Sequence, residues 1–93
     1  MRQDTGSPTA MQQPQIILYG TSWCGYCAKA RAFFKANGIQ YTELDIEKTT
    51  EGHEGHKKLG GGGVPLIVVG DVVMHGYNEA GLRQALAPWM QEN

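Results

Sequence analysis

The sequence predicts an α/β domain with the element order β-α-β-α-β-β-α. Apolar runs of strand length alternate along it with stretches of helical period. Glycines punctuate the junctions, at Gly20, Gly38, Gly60 to Gly63, Gly70 and Gly76. A Cys-X-X-Cys pair, Cys24-Gly25-Tyr26-Cys27, falls where the first strand hands over to the first helix.

Ile16 to Tyr19 reads as a buried strand that ends at Gly20. The first helix is expected from about Cys24 to Asn37, with Cys27, Ala30, Phe33 and Phe34 on one stripe and Gly38 as a left-handed stop. Ile39 to Ile46 alternates as a second strand, parallel to the first because a helix connects them. Lys48 to Leu59 reads as a short, weak helix, since Gly52 and Gly55 each cost about 1 kcal/mol relative to alanine. Gly60 to Gly63 is expected to be a hinge, because the lysine and Ser/Thr of a phosphate loop are missing. Leu66 to Val69 and Val72 to Met74 form a hairpin around Gly70-Asp71. The last helix opens on Asn78 as N-cap, carries Leu82, Ala85, Leu86 and Trp89 at core spacing, and fades at Pro88.

The chain has 93 residues and a net charge of −1, so it suits one small domain with no general attraction to nucleic acid or anionic membrane. No apolar run approaches the roughly 20 residues of a membrane span. Residues 1–14 are polar and lack the apolar centre of a secretory signal. They are expected to be a disordered tail before a domain over residues 15–93. Two cysteines are too few for a secreted disulfide scaffold, and a cytoplasmic, monomeric protein is expected.

The pair itself points to thiol chemistry. A helix mouth offers unpaired N–H groups and the positive end of the dipole, which favour a reactive thiolate. Cys24, the N-terminal thiol, is expected to be exposed and to act as nucleophile. Cys27 lies on the inward stripe and is expected to be the resolving thiol, closing a Cys24–Cys27 disulfide as it releases the captured group. Trp23 and Tyr26 should flank Cys24 as an exposed docking surface.

From Gln15 to about Ala87 the chain resembles the glutaredoxins, members of the thioredoxin superfamily. The resemblance rests on Tyr19 to Cys27, on Val64-Pro65 before a strand, and on Met74-His75-Gly76-Tyr77-Asn78 before the last helix. It implies a thioredoxin-like fold, a four-stranded mixed sheet flanked by three helices, with a cis Val64-Pro65 bond. It also implies reduction of protein or glutathione mixed disulfides, with the Val64 backbone pairing with an extended substrate. Thr21, Trp23, Tyr26, Lys57, Val64, Pro65, Gly76, Tyr77 and Asn78 are the implied substrate or glutathione contacts.

The family pattern is altered at several of these positions. Thr21 stands where a lysine is usual, Gly63 replaces a threonine, and His75-Gly76 replaces a Gly-Gly pair. Asn78-Glu79 stands in place of two acids, and Lys57 or Lys58 would have to supply the cation for a glutathione carboxylate. Trp23-Cys24-Gly25 and Tyr77 are similar to thioredoxin instead, so the electron donor is expected to be glutathione or a thioredoxin-reductase-type partner.

Two alternatives come from other classes. Gly25 permits the iron–sulfur cluster that some glutaredoxins hold at a dimer interface, with Cys24 and glutathione as ligands. Cys24 and Cys27 with His53 and His56 could supply four zinc ligands, although the histidine spacing is one residue short. Otherwise His53, His56 and His75 are expected to be surface histidines.

Overall fold

The computed structural model describes residues 13–90. The tail expected over residues 1–14 therefore lies, up to residue 12, outside the described residues. Gln13 is placed: its side-chain amide accepts the Gln40 N–H at 2.9 Å and donates to the Gln40 carbonyl at 2.6 Å.

The elements are β1 (Ile16–Gly20), α1 (Gly25–Ala36), β2 (Thr42–Asp45), α2 (Thr50–Lys58), β3 (Leu66–Val69), β4 (Val72–His75) and α3 (Glu79–Leu86), with a 3-10 turn over Ala87–Trp89. The sheet order is β2-β1-β3-β4. β1 and β2 are parallel, with Ile17 opposite Thr42; β1–β3 and β3–β4 are antiparallel, with Leu18 opposite Ile67 and Ile67 opposite Met74. This is the four-stranded mixed sheet with three helices that the resemblance implies.

Strand alternation divides the packing between the two faces of the sheet. Ile16, Leu18, Ile67 and Val69 face α1 and α3, where they form the core with Ala30, Phe33, Phe34, Ile39, Leu82 and Leu86. Ile17, Tyr19 and Leu44 face the other way, towards α2. Only Gly52 and His56 are buried on α2. That helix approaches through its glycines: a Cβ on Gly55 would come within 2.5 Å of the Tyr19 hydroxyl, and one on Gly52 would strike the Asp45 carbonyl oxygen. The residues that weaken α2 as an isolated helix let it dock. Thr49 caps it, its hydroxyl accepting the Gly52 N–H at 2.9 Å.

The bounds of β2 differ from the sequence reading. β2 is shorter than Ile39 to Ile46, because the residues before it bond elsewhere. The Ile39 N–H goes to the Phe34 carbonyl at the end of α1, and Gln40 is held by Gln13. Gly38 has φ +68 there, the left-handed stop expected. At the C-terminal end α3 stops at Leu86, where Pro88 was expected to end it, and Pro88 sits within the 3-10 turn. Trp89 consequently packs on the edge of the core, half-buried, instead of continuing the helical stripe.

Candidate active site

Cys24 is the N-cap of α1, at the carboxyl edge of β1. Its Sγ accepts the Cys27 N–H at 3.1 Å, and its carbonyl accepts the Ala28 N–H at 3.1 Å. Both cysteines are free thiols. One turn along, Cys27 is fully buried, and Gly20 leaves room for it: a Cβ there would lie 2.8 Å from Cys27 Sγ.

Opposite Cys24 is the Val64–Pro65 segment, whose peptide bond is cis. The Val64 carbonyl lies 3.7 Å from Cys24 Sγ and accepts its thiol proton. Pro65 is pinned by the Gly76 N–H, which donates to its carbonyl at 2.8 Å; Gly76 itself has φ +89. Tyr26, Val64, Pro65, Gly76 and Tyr77 line a cleft of about 260 Å³ beside the thiol. Trp23 and Tyr26 are 68% and 61% exposed, as expected, and Tyr26 lines this cleft. Trp23 is oriented by its indole N–H, which donates to Glu47 at 3.0 Å, and Lys29 Nζ sits over the Tyr26 ring at 5.4 Å.

Several expectations need correction. Cys24 is 7% exposed, not open, because Val64 crosses in front of it, although it remains the more accessible thiol of the pair. Thr21 is buried at 1% exposure, and its carbonyl accepts an Arg31 N–H at 2.9 Å. It supports the site from below and makes no part of the cleft lining. Lys57 lines a separate groove of about 620 Å³ between α2 and the Ile17, Tyr19 and Leu44 side of the sheet. His56 is buried, with its ring nitrogen 3.1 Å from the Gly63 carbonyl. Among the described residues no group of three or more His, Cys, Asp and Glu is gathered for a metal, so CxxC and the two histidines do not form the four-ligand zinc set. Asn78 is the expected N-cap of α3, its side chain accepting the Gly81 N–H at 3.0 Å.

Burial is the main reason the Cys27 thiol is pushed up to about 11, reinforced by the hydrogen bond and charge of Cys24. The Thr21 backbone and the Arg31 guanidinium pull the other way. Sequence reasoning missed Arg31. It donates to both Glu43 oxygens, at 2.9 and 2.8 Å, and reaches under the site to the Thr21 carbonyl. A Cβ on Gly20 would touch both Cys27 Sγ and Arg31 Nη2, the latter at 4.0 Å, so the cation and the buried thiol are near neighbours. The available signal was an arginine one turn beyond Cys27 with acids on the following strand.

The family model named Glutaredoxin matches residues 16–74. The chain belongs to the glutaredoxin family. It is thus a thiol–disulfide oxidoreductase, and the pair at the mouth of α1 is its Cys-X-X-Cys. It is 38% identical over 58 residues to a glutaredoxin of Mycobacterium tuberculosis, a match covering 60% of this chain and 69% of that one. The glutaredoxin of Archaeoglobus fulgidus is similar in structure, with a TM-score of 0.68 and 26% identity over 90% of this chain and 98% of that one. The NrdH-redoxin of Escherichia coli, described as glutaredoxin-like with a thioredoxin-like activity profile, shares the fold at a TM-score of 0.68 and 17% identity, over 75% and 92% of the two chains. No helix among the described residues is long and apolar enough to cross a membrane.

Proposed function

We propose that this glutaredoxin reduces protein disulfides and glutathione mixed disulfides by a dithiol route, with Cys24 as nucleophile and Cys27 as resolving thiol. The observation that carries the reading is the arrangement of the two sulfurs. Cys24 Sγ sits at the helix mouth beside an open cleft, and Cys27 lies sealed one turn behind it. Attack by the Cys24 thiolate breaks the substrate S–S bond, forms a mixed disulfide and releases one substrate thiolate, which takes up a proton. Cys27 then gives up its proton and attacks Cys24 Sγ, releasing the second substrate thiol and leaving a Cys24–Cys27 disulfide. The substrate gains two electrons and the pair loses two.

The order of the roles follows from access. A substrate sulfur can reach Cys24 past Val64, whereas Cys27 has no exposed surface. Burial keeps Cys27 a thiol at neutral pH, so it waits until a mixed disulfide offers it a target. The Val64 backbone and the exposed Trp23 and Tyr26 rings supply contacts for an extended peptide. The cleft lining carries no charged side chain, and this favours a polypeptide over the anionic tripeptide glutathione as the tighter ligand. Glutathione then serves as reductant or small substrate with weak selection by the site, alongside a thioredoxin-reductase-type donor.

The deciding experiment supplies a disulfide-linked peptide and compares glutathione plus glutathione reductase with thioredoxin reductase as electron donors. Turnover by the native chain with at least one donor, abolished in Cys24→Ser, is expected. No turnover with either, or full turnover retained in Cys24→Ser, would reject the reading.

A further inference from the structure

The run Gly60 to Gly63 leads directly into the segment that crosses in front of Cys24, yet it has nothing of its own to hold it still. Gly60, Gly61 and Gly62 have φ of +109, +62 and +89, and a Cβ on any of the four glycines would meet nothing within 4 Å. Four consecutive glycines carry the largest backbone entropy a chain can have, so their conformation has to be imposed from outside. On the downstream side Val64 is anchored through Pro65, whose carbonyl takes the Gly76 N–H. On the upstream side α2 holds the run: the Lys57 carbonyl accepts the Gly60 N–H at 3.1 Å, and His56 holds the two glycines nearer Val64. The His56 carbonyl accepts the Gly61 N–H at 2.8 Å, and the His56 ring meets the Gly63 carbonyl at 3.1 Å.

A carbonyl oxygen only accepts, so the ring nitrogen in that contact has to carry a proton: His56 donates Nε2–H to Gly63. The side chain is 8% exposed, which makes the bond one that water replaces poorly. Gly63 is the residue immediately before Val64, and the Val64 carbonyl stands 3.7 Å from Cys24 Sγ.

We propose that His56 is a positioning residue for substrate docking: from α2 it fixes the all-glycine loop and so sets the Val64–Pro65 backbone against Cys24. This rests on the reading above that the Val64 backbone receives an extended substrate. The imidazole touches neither thiol nor substrate. Its effect is to hold the docking edge in one place, so that binding a peptide does not also have to order four glycines.

The test compares His56→Leu, which fills the space without a donor, with His56→Gln, which keeps an N–H donor. Each is assayed for kcat and KM on a disulfide-linked peptide and for alkylation of Cys24 by iodoacetamide in a Cys27→Ser background. His56→Leu should raise KM roughly tenfold, the value of about one hydrogen bond with an unsatisfied carbonyl left behind, while alkylation stays within about twofold. His56→Gln should recover most of the KM, and amide exchange at Gly61 to Val64 should speed up in His56→Leu alone. An unchanged KM in His56→Leu would overturn the proposal. So would equal damage in both variants with alkylation falling in step, the pattern of a merely structural histidine. If the native chain fails to reduce the peptide at all, the docking reading fails first, and that result is told apart by the unsubstituted control.

Discussion

The two faces of the sheet are built on different terms. Towards α1 and α3 the core is made of large apolar side chains at helical and strand spacing, with Phe34, Leu82 and Leu86 fully buried. Towards α2 close approach is achieved by leaving side chains out, at Gly52 and Gly55, and by burying one histidine. The first face makes the fold stable. The second places the glycine loop and hence the Val64–Pro65 edge, so precision there depends on small residues and single hydrogen bonds.

The largest effect should come from the apolar face. Phe34→Ala removes a fully buried ring packed on Phe33 and Tyr41 and should lower unfolding free energy by about 3–5 kcal/mol in urea titration. A loss under 1 kcal/mol would mean that this face is not the principal core.

The buried Cys27 thiol belongs to the same face and gives a pH test. Its folded value, about 11, lies above the ordinary 9, so folding favours the neutral thiol. The stability it contributes is complete below pH 9 and is lost as pH rises towards 11, up to roughly 3 kcal/mol for two units. Unfolding of the reduced chain followed from pH 8 to 11 should show this loss relative to Cys27→Ala. Parallel curves for the two proteins would contradict the burial of Cys27.

Gly55→Ala sharpens the contrast between the faces, because helix propensity alone predicts a gain of about 1 kcal/mol. The Tyr19 ring behind Gly55 predicts the opposite sign, a net loss of about 1–2 kcal/mol as the helix is pushed away. Stabilisation would show that α2 is not closely docked. The smallest effect is expected at the exposed Glu79–Arg83 pair on α3, spaced i,i+4 at 2.9 Å. Glu79→Gln should change stability by less than about 0.5 kcal/mol, less still in high salt.

The apolar face was also the legible one. Cys27, Ala30, Phe33 and Phe34 repeat at helical spacing, and all four are buried where that period puts them. The hairpin at Gly70 and the cap at Asn78 followed from local turn and capping chemistry in the same way. The α2 face was not legible. Gly52 and Gly55 read as defects, because a glycine needed for close packing looks the same in sequence as one that merely weakens a helix. His56 read as a surface residue for the same reason: its partner is a backbone carbonyl seven residues away, which leaves no trace in side-chain type. Among the site residues, Cys24 and Cys27 meet at the mouth of α1, the Val64 carbonyl faces Cys24, and Val64, Pro65, Tyr26, Gly76 and Tyr77 share one cleft. Lys57 and Thr21 were placed by resemblance, and the fold turns one towards another groove and the other beneath the thiols.

The proposed redox cycle depends on one sulfur capturing a substrate and its buried neighbour releasing it. Reaction of the reduced chain with a small excess of 5,5′-dithiobis(2-nitrobenzoate) tests this directly by counting the thionitrobenzoate set free. The native chain should release two equivalents and finish with a Cys24–Cys27 disulfide. Cys27→Ser should release one and keep the second as a stable mixed disulfide on Cys24. If Cys24→Ser instead reacts as fast as the native chain, capture belongs to Cys27 and the assignment of the two roles is wrong.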